Sequence, residues 1–586
     1  LYNLCFVSMK MKDVSSFRAC FDRLNRMDLS SETYQQLEIW KKQLYGKRTS
    51  KNLLMIAYYY PPLSGSGVFR SLKYSKYLRE YGWEPTVIAA SSPPNGWNFR
   101  DNSLIQEIPD GMNVIRIDDP FSTGTLKQVD FRPIMKYQKA VIHHDPKLLK
   151  MYDDMLKKGE KGIIQLLQFP HHDLYWTYLV AEYISKNIDM TRFDAVYTTS
   201  GPYSSHLLGC YLQEKYNIPW VADYRDEWTG NPYAKMDEQS EQYQMFLQLE
   251  KLLLHHADKN ITMAESLCDV YQQRFGLAPD KVVSITNGYD EMDFRSLKQS
   301  CSVNPCFTVV YSGLLYMQER SVEPILDAIK VLIEKKLIPK EKIKLELVGT
   351  RPEDTKNVVN KYGLHDQVQA TGYIAHRDAL QYSLNADLLI LLMGDKEKYQ
   401  HYYSGKIFDY IRCRKQILAL APPHGVIAEL FKKMGYGLIT QSTNQEQIQR
   451  YIYEEYMKWE SSAEPTAYKY EGEWRFERSY LTGCLADVLD SLEYHSNETK
   501  SEIYDGIYRT GGAGQAYHKH YTQSFYFPCW QRAMRYLYLL DRGINILEVG
   551  CGAGQFANML FDAGFYNYQG IDYSKEAIKL AQKNNP

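Results

Sequence analysis

No stretch of the sequence is apolar for long enough to cross a bilayer. Its strongly apolar runs, such as Leu388 to Met393, fall far short of the roughly 18–20 residues that a spanning helix needs. Leu1 to Val7 is apolar but lacks the preceding basic region and small-residue cleavage site of a secretory signal. There is no excess of charge of either sign: 69 Lys+Arg face 70 Asp+Glu, a formal net charge of -1, so no global basic field points to nucleic acid or an anionic membrane. The ten cysteines are scattered without any C-x-x-C, and the nearest pair, Cys301 and Cys306, has no matching His or Cys cluster for zinc. Reduced thiols and no metal are therefore the expectation.

What is present fits a globular protein. With 44% hydrophobic and 24% charged residues, 586 residues can bury ordinary cores and suggest two to four domains. Tyrosine is abundant, at 50 residues; its amphipathic rings suit sugar contacts, though a compositional habit explains the number equally well. The chain opens on Leu1 and closes on Pro586 shortly after a new strand–helix start, so it reads as a fragment at its C-terminus.

The pattern along the chain is that of parallel α/β units. A leader helix is expected over about 28–47, closed by the polar stretch Lys47 to Lys51. Asn52 to Tyr59 then reads as a strand, Pro61 to Gly67 as a loop, Val68 to Tyr81 as a helix and Glu84 to Ala90 as a second strand. Similar units recur at Asp194 to Asp223 and from Phe307 onward, with strands at Lys344 to Val348, near Gln369 and at Ala386 to Leu392, and a helix from about Lys406. Two α/β domains joined near Cys301 to Pro305 are expected, closed by a helix over Ser479 to Leu492, and a third α/β start runs from Ile544 to Gln582.

The loop Tyr58 to Gly67 lies between a strand and a helix. Glycines there, Gly65 and Gly67, let backbone N–H groups approach a phosphate at a helix N-terminus, although a tight β–α turn accounts for them as well. The stretch from Leu53 through Ala89, the segment Thr199-Ser200-Gly201-Pro202-Tyr203-Ser204-Ser205-His206, the run Trp220 to Trp228 and Ile285 to Asp290 together resemble glycosyltransferases of family 4 with the GT-B fold, of a bacterial polysaccharide-cluster kind. Tyr311-Ser312-Gly313, Gly372-Tyr373 and Ser404 to Tyr410 extend the resemblance to about 52–492. It implies two Rossmann-like domains: an N-terminal acceptor domain (52–303) after the leader (1–51), and a C-terminal donor domain (304–495). The implied activity moves a sugar from a nucleotide-sugar donor, with retention of configuration and without a metal.

The leaving diphosphate needs cations and oriented dipoles, for which Arg320 and Lys406 are the candidates. The family carries a basic pair after the first strand of its donor domain; here the first member falls near Leu314 and only Arg320 remains. The family's Glu-x7-Glu motif falls on His401 and Asp409, leaving Asp409 to accept the ribose hydroxyls. Arg225 and Asp226 occupy the turn after the strand ending at Asp223, where they would act catalytically by orienting sugar hydroxyls, or else form a structural pair. His206 reads as a core or capping residue.

Ile546 to Gln555 is spelled E-x-G-C-G-x-G between a strand and a helix, and resembles the first motif of class I S-adenosylmethionine methyltransferases. That resemblance assigns Glu548, Gly550, Gly552 and Gly554 to the cofactor loop and Asp572 to its ribose. Tyr504 to Trp530, with its Gly511-Gly512-Ala513-Gly514, resembles the cap before that core, and the domain (496–586) is expected to be truncated. The leading reading is a cytoplasmic enzyme of surface-polysaccharide synthesis, extending to peripheral association with the inner face of the membrane. It would use a nucleotide-sugar, a glycan or lipid-linked saccharide acceptor, and S-adenosylmethionine, with no nucleic acid. The alternatives are a catalytically inactive GT-B scaffold and a nucleotide-sugar epimerase of the same architecture.

Overall fold

The computed structural model describes residues 36–37, 39–40, 51–91, 100–120, 130–171, 173–234, 236–295, 297–298, 303–315, 320–462, 467–497, 508, 519–524, 526–549, 551–572 and 574–584. Of the expected leader helix only Gln36, Leu37, Ile39 and Trp40 fall within these ranges, and they are helical. The rest of the leader, the Gly511 to Gly514 stretch and Gly550 lie outside the described residues. The chain divides into two compact units, Leu1–Asp490 and Ser491–Pro586.

The first unit contains two parallel sheets. One is built from β1 (Lys51–Ile56), β2 (Trp83–Ala90), β3 (Asn113–Ile117), β4 (Ala195–Thr199), β5 (Trp220–Asp223), β6 (Lys259–Thr262) and β7 (Val282–Ser284), in the order β3-β2-β1-β4-β5-β6-β7. The other comprises β8 (Phe307–Ser312), β9 (Ile343–Val348), β10 (Val368–Ala370), β11 (Leu388–Leu392), β12 (Gln416–Leu420) and β13 (Leu438–Thr440), in the order β10-β9-β8-β11-β12-β13. Both orders reverse at the first strand, between β1 and β4 and between β8 and β11. Such a reversal opens a crevice beyond the carboxyl ends of the strands. β11 (Leu-Leu-Ile-Leu-Leu) and β12 are buried along their whole length, as strands covered by helices on both faces must be.

The helix after β1 is α1 (Ser66–Tyr77). It is shorter than the single helix expected to Tyr81, because the last residues, Leu78–Tyr81, tighten into a 3-10 turn ended by Gly82 at φ 82. Between β3 and β4 lie four helices that hydrophobic patterning left unassigned: α2 (Phe131–Ile142), α3 (Pro146–Leu156), α4 (Glu160–Leu167) and α5 (Leu174–Asn187). Then come α6 (Ser204–Tyr216) after β4, α7 (Glu241–His256) after β5, α8 (Glu323–Glu334) after β8, α9 (His376–Asn385) before β11, α10 (Lys406–Cys413) before β12 and α11 (Arg478–Asn497). α11 returns to the first sheet, where Asp490 accepts from Lys51 Nζ at 3.0 Å and Trp83 Nε1 at 3.1 Å.

In the second unit β14 (Ile546–Val549) pairs in parallel with β15 (Tyr568–Ile571), linked by α12 (Gln555–Asp562), over a small core of Met534, Leu560 and Phe565. The observed class, two parallel α/β sheets in tandem followed by a small parallel β-α-β unit, is the α/β class expected. Among the described residues no helix is long and apolar enough to cross a membrane.

Candidate functional site

At the carboxyl edge of the first sheet, the loops after β1, β4 and β5 converge. Their scaffold is a buried ion pair that the sequence did not reveal: Arg70, on α1, gives Nε and Nη2 to the two oxygens of Asp223, at 2.7 and 2.9 Å. Both side chains are fully buried, and Arg70 also donates to the Thr286 and Ile285 carbonyls at 2.9 Å each. Two residues beyond Asp223, Arg225 is anchored through its backbone N–H to Ser200 Oγ at 3.1 Å and through its guanidinium to the Ser200 carbonyl. That guanidinium lies against Gly67, filling the space a Cβ would need, and Gly65 (φ 119) caps α1 beside it. Arg225 therefore ties three loops together rather than pairing with Asp226. Asp226 stands at the solvent-accessible rim; the protein around the turn pushes its carboxyl up, against the pull of Arg225 and Arg320. His206 is a core residue: burial pushes its imidazole down to about 3, and Nδ1 meets Thr198 Oγ1 at 2.8 Å.

At the carboxyl edge of the second sheet, β8 is followed by Gly313 at φ 122, a conformation that favours glycine. The Lys406 side chain, from the first turn of α10, lies in the space a Cβ there would occupy. A cation thus reaches the end of β8 from α10, although Leu314 supplies none. Burial and the like charge of Arg320 bring Lys406 down to about 8, with Asp409 drawing the other way. One helical turn on, burial raises Asp409 to about 6, opposed by His376. Beside Arg320 a cavity of about 250 Å³ opens beyond β11, β12 and β13, lined by Leu392, Asp395, Tyr399, Leu420 and Ser442. Asp395 fixes its far wall by accepting from Ser442 N–H at 2.7 Å and Ser442 Oγ at 2.6 Å.

Side chains from both sheets meet across the cleft. Arg320 Nη2 donates to Tyr233 Oη at 2.5 Å, and Tyr233 stacks on Tyr399 with ring centroids 5.0 Å apart. Tyr402 Oη donates to the buried Glu227 carboxylate at 2.6 Å, Tyr373 Oη to Ser64 Oγ at 3.0 Å, and His376 packs against Phe69 at 4.5 Å. Burial pushes Glu227 up, countered by the Tyr402 hydroxyl and Arg274. Of the candidates drawn from the sequence, Gly65, Gly67, Arg225 and Asp226 therefore gather on one wall, and Arg320, Lys406 and Asp409 on the other. Tyr233, Glu227, His376 and Tyr402 carried no local signal, since their partners are distant in the chain.

In the second unit the loop after β14 closes on the end of β15. Asp572 accepts from Gly552 N–H and Ser574 N–H, each at 2.8 Å, and Glu548 accepts from Tyr568 Oη at 2.5 Å. Gly552 and Gly554 have φ of 51 and 75, and a Cβ on Gly552 would come within 3.0 Å of Tyr508 Oη. Glu548, Gly552, Gly554 and Asp572 are thus brought together.

No curated protein matches the sequence at a significant level. In its fold the chain is similar to a glycosyltransferase from Rickettsia africae (12% identity, 76% of this chain and 99% of that one, TM-score 0.49). It is also similar to Anabaena Alr3699/HepE, solved in complex with UDP-glucose (15%, 75% and 99%, TM-score 0.48), and to a sucrose-phosphate synthase from Thermosynechococcus elongatus (15%, 76% and 100%, TM-score 0.47). Two family models match in sequence: Glycosyltransferase Family 4 over residues 141–292, and a methyltransferase domain over residues 540–585. The chain combines a Glycosyltransferase Family 4 region with a methyltransferase-domain region, and so carries the signatures of two group-transfer enzymes.

Proposed function

We propose that the first unit is a retaining glycosyltransferase that passes a sugar from a nucleotide-sugar donor to a glycan or lipid-linked saccharide acceptor in surface-polysaccharide synthesis. The observation that carries this reading is the opposition of Arg320 and Lys406, on the second sheet's edge, to Arg225 and Asp226, on the first. Transfer leaves negative charge on a diphosphate, and two cations held by the protein beside the end of β8 are placed to stabilise it. The nucleoside enters the cavity beside Arg320, where Asp395 and Tyr399 offer a polar wall and an aromatic face, and Asp409 accepts ribose hydroxyls. From the facing wall, Arg225 and Asp226 orient the sugar and acceptor hydroxyls, which fixes the reacting atoms relative to one another. In the second unit, Glu548, Gly552, Gly554 and Asp572 would hold S-adenosylmethionine, which supplies a methyl group when bound. The positive-φ glycines and the acidic strand end fit that cofactor.

A thermal-shift panel of UDP, GDP, dTDP and CMP sugars, followed by an assay of released nucleotide, tests the reading. A ligand at 100 times its dissociation constant adds about 2.7 kcal/mol of stability. One donor class should stabilise the chain and be turned over with an acceptor, and the Arg320→Ala/Lys406→Ala double variant should lose that stabilisation while remaining folded. Unchanged nucleotide affinity in the folded double variant would reject the donor assignment.

A further inference from the structure

Far from the cleft, three helices bring five metal-binding side chains together. Glu214 and Cys210 lie toward the end of α6, His256 is the last residue of α7, and His143 and His144 follow the end of α2. Helices that follow parallel strands run back to the amino edge of the sheet, so the ends of α6 and α7 lie at the edge opposite the cleft. The scattered cysteines gave no zinc pattern because these ligands are contributed by segments far apart in the chain.

Glu214 Oε1 is the centre of the group. His144 Nε2 lies 2.8 Å from it, Cys210 Sγ 3.6 Å and His256 Nδ1 3.7 Å. The donor atoms of His143, His144 and Glu214 all lie within 4.8 Å of one another, as do those of Cys210, Glu214 and His256. Bonds of about 2.0–2.1 Å to nitrogen or oxygen and about 2.3 Å to sulfur, at tetrahedral angles, put neighbouring ligand atoms about 3.3 Å apart for N···O and about 3.5 Å for S···O. The three spacings to Glu214 bracket these values, and the two triads share Glu214 as their common ligand, so rotation of the exposed His144 side chain toward the Cys210–His256 pair would close the set.

The setting also suits a cation. Among the described residues no lysine or arginine pairs with Glu214. Lys281 is directed elsewhere, donating to the Ala257 carbonyl at 2.8 Å and the His255 carbonyl at 3.3 Å. The helix ends that supply His256 and His143 are C-terminal, where the dipole favours positive charge. Imidazole, thiolate and a single carboxylate select zinc or a neighbouring transition metal over magnesium or calcium.

We propose that His144, Glu214, His256 and Cys210, flanked by His143, form a structural binding site for Zn2+ or a similar late first-row divalent cation, which ties α2, α6 and α7 together. Binding should stabilise the first unit without taking part in sugar transfer.

The test uses the full chain after chelation, titrated with Zn2+ by calorimetry and with Co2+ by absorption. One ion should bind per chain and raise the melting temperature. Co2+ should show tetrahedral visible bands and a thiolate charge-transfer band that Cys210→Ser removes. His144→Ala and His256→Ala should each weaken binding at least ten-fold, and His424→Ala, elsewhere on the surface, should not. Circular dichroism establishes that each variant is folded, and the surface change Glu214→Gln gives a second loss-of-ligand variant. Absence of saturable Zn2+ binding, or undiminished affinity in folded Glu214→Gln and His144→Ala, would overturn the proposal.

Discussion

The guanidinium of Arg225 fills the volume that a Cβ on Gly67 would claim. Arg225 is the far end of a flexible chain, so an added methyl group would displace it before it moved the backbone. Gly67→Ala is therefore expected to leave the melting temperature within a few degrees of the parent. Turnover should fall on the order of 100-fold, the scale of an ångström's misplacement at a reacting centre. Full turnover in Gly67→Ala would remove Arg225 from the site.

The depressed lysine gives a pH signature. Lys406 titrates near 8, so it is charged and able to hold a diphosphate below that pH and neutral above it. Nucleotide affinity should drop roughly ten-fold or more between pH 7 and 9.5, the loss of one charge-assisted contact. Lys406→Arg, whose guanidinium stays charged, should flatten the profile. Folding responds with the opposite sense: the unfolded lysine keeps its proton to 10.5, so stability rises as pH climbs from about 8 toward 10.5. Calorimetry at both pH values decides the point, and an equal fall in Lys406→Arg would show that another group titrates.

Asp226 should behave differently from the cations of the facing wall. It lies at a strand end of the first sheet, opposite the second sheet's edge, and feels both Arg225 and Arg320. Asp226→Asn is expected to reduce turnover at least ten-fold while changing nucleotide affinity by less than about two-fold, because its proposed contacts are with sugar hydroxyls made productive in the transition state. Parallel losses in both quantities would make the aspartate a structural element of the turn.

Legibility in the sequence follows local composition more than burial: the partly exposed edge strand β10 is expected near Gln369, while the wholly buried β12 is not. β11 announces itself as a short unbroken apolar run and β8 by its β-branched and aromatic residues, and Arg225, Lys406 and Asp572 stand beside turns whose residue types mark a strand end. β6 escaped because its sequence, Lys-Asn-Ile-Thr, is polar although wholly buried. Tertiary partners make that possible: Lys259 Nζ donates to the Asp280 carbonyl at 2.6 Å and Asn260 Nδ2 to the Leu254 carbonyl at 2.8 Å. The same reason hid Tyr402 and Glu227, whose bond joins positions 175 residues apart. Local pattern carries backbone and turn information, whereas a pairing satisfied across two sheets leaves no periodic trace.

That Tyr402–Glu227 bond is itself a measurable link between the sheets. Tyr402→Phe would take the hydroxyl donor from a buried carboxylate that Arg274, at 3.7 Å, and His401 also influence. An unsatisfied buried acceptor costs about 1–3 kcal/mol. The urea midpoint of the first unit should fall accordingly, and should recover in part in Tyr402→Phe/Glu227→Gln, which removes the stranded charge. An unchanged midpoint in Tyr402→Phe would mean that water replaces the phenol without cost.

The deepest dependence of the site is on Arg70 and Asp223. With both groups fully buried, removing either partner strands a charge in a low-dielectric core, which costs about 3–5 kcal/mol. Asp223→Asn should therefore lower the first unit's stability by that amount, read from its denaturant transition. Arg70→Met/Asp223→Leu should be less destabilised than the sum of the two single changes, because neither charge is then left alone. The pair also ends β5, and Arg225 and Asp226 follow within three residues, so a loosened strand end must disturb the turn that carries them. Turnover should thus fall together with stability in Asp223→Asn. Loss of turnover at undiminished stability would instead place Asp223 in contact with the substrate, which its complete burial behind Arg70 and Tyr197 argues against.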